Sequence, residues 1–148
     1  MAERKRTAGR QLMAAGIVAG TRRPATPHEF VVDAIAPLAP TTRRMFGSLA
    51  VYVEDKIVFI LRDRDAGPED NGVWLATTLE HHASLQRLFP TLRSIRIFGK
   101  NVTGWQLIPA DAPGFEEAAL KACGLVRAAD PRIGKVPKRR QGRPGRRP

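Results

Sequence analysis

Apolar positions change period four times along the chain, and the changes mark its elements. After Thr26-Pro27-His28-Glu29, Phe30, Val31, Ala34, Ile35 and Leu38 fall on one face of a helix. Thr26 is a candidate cap, Pro27 suits a first helical position, and Glu29 takes the capping-box position. Pro37 and Pro40 are expected to end this helix. Ser48 to Val53 and Ile57 to Leu61 are rich in β-branched and aromatic residues and flank Glu54-Asp55-Lys56, the pattern of a tight hairpin. A polar stretch over 64–72 closes on Asn71-Gly72, a turn signal, and Val73 to Ala76 reads as a third strand.

The second half repeats the alternation. Thr77 and Glu80 form a capping-box pattern ahead of a helix carrying Leu85, Leu88 and Phe89, which stops at Pro90. Ile95 to Phe98 and Trp105 to Ile108 are two further strand candidates, separated by Gly99 to Gly104. Trp105 is expected to be structural. Pro113 opens a last helix with Glu116 and Glu117 in its first turn, where the helix dipole favours acids. Phe115, Ala119, Ala122, Cys123 and Val126 line its apolar face, and Asp130-Pro131 ends it. The expected fold is α+β in two layers, in the order α-β-β-β-α-β-β-α, with helices on one side of an antiparallel sheet.

Charge changes the picture at the ends. The 148 residues carry a net charge of +11, distributed unevenly. Residues 1–23 hold six Lys/Arg against one acid, and residues 132–148 hold eight against none. The stretch 24–131 holds eleven against thirteen and is slightly acidic. The chain therefore divides into a basic flexible N-terminal extension (1–23), a folded domain (24–131) and a basic tail (132–148) too poor in apolar residues to order by itself. Basic ends of this kind are drawn to polyanions.

Candidate chemistry is sparse. Cys123 is the single cysteine, so no internal disulfide forms, and a reducing compartment, the cytoplasm, is expected. Cys123 lies on an apolar helix face and reads as a small hydrophobe. His81 and His82 are adjacent and diverge by about 100° on a helix, which suits a solvated surface better than a shared metal. Ser48 lacks the surrounding glycines of a nucleophile elbow. The acids at 63, 65, 69 and 70 lack calcium-loop spacing. No metal, cofactor or catalytic set is expected. No stretch approaches the ~20 apolar residues of a membrane span. The weakly apolar run Leu12 to Gly20 leads into Thr21-Arg22-Arg23 rather than a cleavage site, so no cleaved export signal is expected.

Two motifs carry a family resemblance. Arg44-Met45-Phe46-Gly47, leading into Ser48-Leu49-Ala50-Val51-Tyr52, resembles the signature of the TfoX (Sxy) N-terminal domain family. Gly104-Trp105-Gln106-Leu107-Ile108-Pro109, preceded by Phe98-Gly99-Lys100, resembles a late Gly-Trp-x-x-x-Pro strand of the same family. Ser48 and Ala50 stand where many members carry glycine, and Glu54-Asp55 where they carry Asp-Gly. The resemblance spans residues 27–130 and implies a non-enzymatic regulatory or accessory protein linked to DNA competence or transcription, with no catalytic residues to carry over.

Two contact regions are expected. At Arg43-Arg44-Met45-Phe46-Gly47, Met45 and Phe46 should pack under the first helix while Gly47 permits a bend. Arg43 and Arg44 are the partner-contact candidates, at a strand start, for a protein partner or a second copy. In the tail, Lys138, Arg139, Arg140, Arg143, Arg146 and Arg147 are the candidates for DNA or RNA contact. Lys138 to Pro144 resembles an AT-hook in which Gln141 replaces the first core arginine, so generic phosphate neutralisation explains the tail better. The alternative function is a small protein- or ligand-binding module whose tails only aid solubility.

Overall fold

The computed structural model describes residues 26–99 and 102–137. The fold is α+β. Six antiparallel strands form one sheet in the order β1-β2-β3-β4-β6-β5: β1 (Thr41–Met45), β2 (Ser48–Val53), β3 (Lys56–Arg62), β4 (Gly72–Leu75), β5 (Arg93–Ser94) and β6 (Gln106–Pro109). Three helices, α1 (Glu29–Ala34), α2 (His82–Leu88) and α3 (Phe115–Arg127), pack on one face. None is long and apolar enough to cross a membrane.

Strand alternation sorts the sheet's side chains into two layers. Leu49, Val51, Phe59, Leu61, Val73, Leu75 and Ile108 face the helices, where Val31, Ile35, Leu85, Phe89, Ala119, Ala122, Cys123 and Val126 complete the core. A bulge opposite Val51/Tyr52 turns Val58 to this side as well. Ala50, Ile57, Ile60, Trp74, Ala76, Leu107 and Ile95 form a second cluster on the other face, with Met45, Tyr52 and Trp105 packed against it. No helix covers this second cluster among the described residues; loops do.

Several local expectations are corrected. β1 is an additional strand, since Thr41-Thr42-Arg43-Arg44 has no apolar period and gains its ladder only by pairing with β2. α1 begins at Glu29, not at Pro27. His28 takes a left-handed φ of 49° and donates from Nε2 to the Arg62 carbonyl at 2.9 Å, so no Thr26 cap forms. The Thr77 capping box is also absent: a 3-10 turn over Leu79–His81 precedes α2, and the Thr77 hydroxyl is buried without a partner among the described residues. The strand expected over Ile95 to Phe98 does not form, and the ladder there is limited to Arg93–Ser94. The Asp70 carboxylate accepts the N–H groups of Arg96 and Ile97 that a longer ladder would have used. Met45 packs on the loop-covered face, and Phe46 is 65% exposed, so neither lies under α1.

The chain returns to the fold after α3. Ala129, at φ 58°, lets Asp130 N–H reach the Leu125 carbonyl and Ala129 N–H reach that of Val126, a Schellman stop. Ile133 then enters the helix-side core and Lys135 bridges Ile57, so the boundary expected at 131 falls short of these contacts.

Candidate functional site

Arg43 and Arg44 lie within β1, at an outer edge of the sheet, and not at a strand start. Adjacent residues of a strand project to opposite faces, so the two do not converge. Arg43 opposes Ala50, and its guanidinium sits 5.8 Å from the centroid of the Tyr52 ring, a cation–π distance. Arg44 opposes Leu49. A surface hollow of about 270 Å³ beside them is lined by Thr41, Thr42, Arg43, Tyr52, Glu54 and Asp55. Both charge signs meet there, which suits no single class of ionic ligand. Lys138, Arg139, Arg140, Arg143, Arg146 and Arg147 lie outside the described residues.

The turn joining β1 to β2 is the feature the pattern of the sequence did not prepare. Met45 pairs with Ser48, leaving Phe46-Gly47 as a two-residue loop with φ of 54° and 74°. Positive φ at both positions is the type I′ hairpin, whose first position favours Asn, Asp or Gly. Phenylalanine there is strained. Its ring stands off the turn and meets Phe98 edge-on at 6.1 Å between centroids. Phe98 in turn meets Trp74 at 6.3 Å, and Trp74 meets Trp105 at 5.9 Å. An aromatic row thus runs from the buried Trp74 outward to Phe98, 50% exposed, and Phe46, 65% exposed. Arg64 lies against the tip: its Nη1 donates to the Phe46 carbonyl at 3.4 Å. A Cβ on Gly47 would come within 2.4 Å of the same nitrogen.

Beneath this tip, polar groups are committed to structure. Arg62, only 2% exposed, donates to the carbonyls of Gly67 and Ala66 and to Asn71 Oδ1, winding residues 63–71 around one guanidinium. The Asn71 side chain accepts from Arg64 N–H and donates to the Arg64 carbonyl. Asp70, 1% exposed, accepts from the N–H groups of Arg96 and Ile97 and from Arg93, which also donates to the Glu69 carbonyl. Trp74 Nε1 donates to the Asp70 carbonyl at 2.9 Å. Asp70 and Asn71, within the stretch that read as a charged loop, therefore hold the loop that roofs Trp74. The signal for this was Arg62 itself, a charge ending an otherwise apolar strand.

The remaining candidates lie apart from this tip and make local contacts of their own, Ser48 excepted. Burial pushes the Cys123 thiol up to about 11, against a smaller opposing pull from Arg127, and Sγ donates weakly to the Val31 carbonyl. A thiol so raised carries little thiolate at neutral pH. His82 Nε2 reaches the Gly104 carbonyl at 3.2 Å and His81 Nε2 lies 3.3 Å from Glu80, so both rings are half-buried and engaged rather than simply solvated. Ser48 is buried and its hydroxyl has no partner among the described residues. No group of three His, Cys, Asp or Glu is placed to hold a metal among the described residues.

Compared with known proteins, the chain matches no family model, no curated protein and no solved structure.

Proposed function

We propose that this chain is a non-enzymatic accessory or regulatory protein of the TfoX N-terminal type, acting by binding, with basic ends that contact nucleic acid. The observation that supports the reading is the placement of charge. Fourteen Lys/Arg lie in residues 1–23 and 132–148 against a single acid, beside a slightly acidic middle. Segments so charged neutralise phosphates and release counterions. The buried polar groups of the domain, Arg62 and Asp70 above all, hold loops in place, which suits a binding scaffold.

DNA retention by the full chain across a salt series tests this. Removal of 138–148 is the right comparison, because removal of 132–148 would also take Ile133 out of the core. Affinity should fall with salt at a log–log slope of roughly −3 to −5 if half or more of the six cations in 138–148 reach phosphates, and deleting 138–148 should flatten it. A salt-independent affinity, or no retention at low salt, would remove the nucleic-acid reading. A preference for A·T-rich duplex lost in Arg143→Ala but kept in Arg147→Ala would assign the AT-hook geometry. Equal losses would leave a generic basic tail.

One observation favours the second reading, a module for a protein or small ligand. The edge of β1 is open among the described residues and its first four residues are exposed. Capture of a protein that survives nuclease treatment and is lost in Arg43→Glu would support it.

A further inference from the structure

We infer that the Phe46–Phe98 tip is a stacking site for unpaired bases, so that the folded domain itself grips single-stranded nucleic acid. This rests on the nucleic-acid reading above and adds to it a place and a strandedness. Three observations converge on the tip. Phe46 occupies a position where the backbone favours asparagine or glycine, and its ring fills no core. A residue that is strained locally and adds little to packing has its explanation outside the fold.

The second observation is the support beneath the ring. Phe46 leans on Phe98, Phe98 on Trp74, and Trp74 is fixed by the Asp70 carbonyl. The tip is a propped aromatic surface rather than a loose side chain. The two rings, at 6.1 Å and nearly perpendicular, keep half or more of their surface exposed, and every base offers a π-face to match.

The third observation is charge. Arg64 lies against the turn, and the exposed Arg96 stands two residues before Phe98. Guanidinium groups around exposed aromatic rings complement a strand that carries a phosphate beside each base. A duplex hides its base faces in its own stack and cannot use the rings, so the tip discriminates by strandedness.

The test uses the full chain with two probes, a fluorescent oligothymidylate of about 12 nucleotides and a mixed-sequence duplex of the same length. Phe46→Asn is the informative substitution. It creates Asn-Gly, a favoured I′ pair, so the variant should unfold at the same temperature as the parent or higher. It should nonetheless bind the single strand about tenfold more weakly, with duplex affinity unchanged within about twofold. Phe46→Trp should keep single-strand affinity, and Phe98→Ala should lose it to a similar degree. The inference is overturned if Phe46→Asn binds both probes as the parent does; the tail reading then stands alone. It is also overturned if both affinities drop together, or if Phe46→Asn instead abolishes a concentration-dependent dimer in sedimentation, which would make the tip a contact between copies. Failure of the parent to bind either probe at low salt would remove the wider reading with it.

Discussion

On one side of the sheet, Leu49, Val51, Phe59, Leu61, Val73 and Leu75 pack under three helices; on the other, Ile60, Trp74 and Leu107 lie under loops. Both layers are buried, but they are closed by different means. The helix side closes by apolar area, with aliphatic stripes of α1 and α3 laid on the pleat. The loop side closes by polar wiring. Arg62 winds residues 63–71, and Asp70 captures Arg96 and Ile97, so each loop is held by a buried ion accepting or donating backbone hydrogen bonds. An area-closed layer tolerates change by repacking. A wired layer depends on single atoms, and it leaves the rim where the aromatic row meets solvent.

The largest effects should come from the centres of the two layers. Trp74→Ala should cost about 3–5 kcal/mol in urea unfolding and Leu61→Ala about 2–5 kcal/mol. If Trp74→Ala is nearly neutral, the loop side is a veneer and the comparison breaks. Trp105 is only partly buried and leans on Trp74, so Trp105→Ala should cost less than Trp74→Ala. Next, Asp70→Ala leaves two backbone N–H groups and Arg93 without their acceptor, an expected loss of about 2–3 kcal/mol. Hydrogen exchange should show the loss confined to residues 63–71 and 93–99, with α1 and α3 protected. Uniform loss would mean that the two layers unfold as one.

A smaller effect sharpens the helix side. Asp130 is held down to about 2, first by the Arg132 side chain and then by its N–H, and Arg132 also reaches Ser84 ahead of α2's last turns. A carboxylate lowered in the folded state contributes stability above its unfolded pKa. That contribution is lost as pH falls from about 4 through about 2. Asp130→Asn should therefore destabilise at pH 7 and match the parent near pH 2, which parallel melts would show. The smallest effect is a gain: Ala129→Gly relieves a left-handed alanine at the stop of α3 and should add about 0.5–1 kcal/mol.

How far the sequence carried depended on whether period or partner decided the local structure. Phe30 to Leu38, Leu85 to Phe89 and Phe115 to Val126 have helical spacing, and helices lie there, though α1 ends at Ala34 and Ala36–Leu38 is a separate 3-10 turn. Ser48 to Val53 and Ile57 to Leu61 alternate or run apolar, and the hairpin lies there. Thr41 to Arg44 carries no period, and its strand exists only because β2 offers an edge. The caps at Thr26 and Thr77 failed for the same reason. At α1 a backbone group elsewhere in the chain, the Arg62 carbonyl, takes the His28 ring N–H at the entry instead. Of the contact candidates, Arg43 and Arg44 were legible as exposed charge, whereas the strain at Phe46 was not, since φ at a turn follows from the Met45–Ser48 register.

The register of α1 against α3 has a consequence for the order of assembly. Val31 and Cys123 touch across 92 residues, while β1, β2 and β3 each pair with their immediate successor. The meander can zip through short loops as soon as it leaves the ribosome, at small closure entropy. α1 precedes it in synthesis yet finds its seat only after α3 has emerged. With six residues, it is too short to persist as an isolated helix meanwhile. The seat of α1 is therefore complete only once α3 is made, and until then Val31 and Ile35 lack part of their apolar cover.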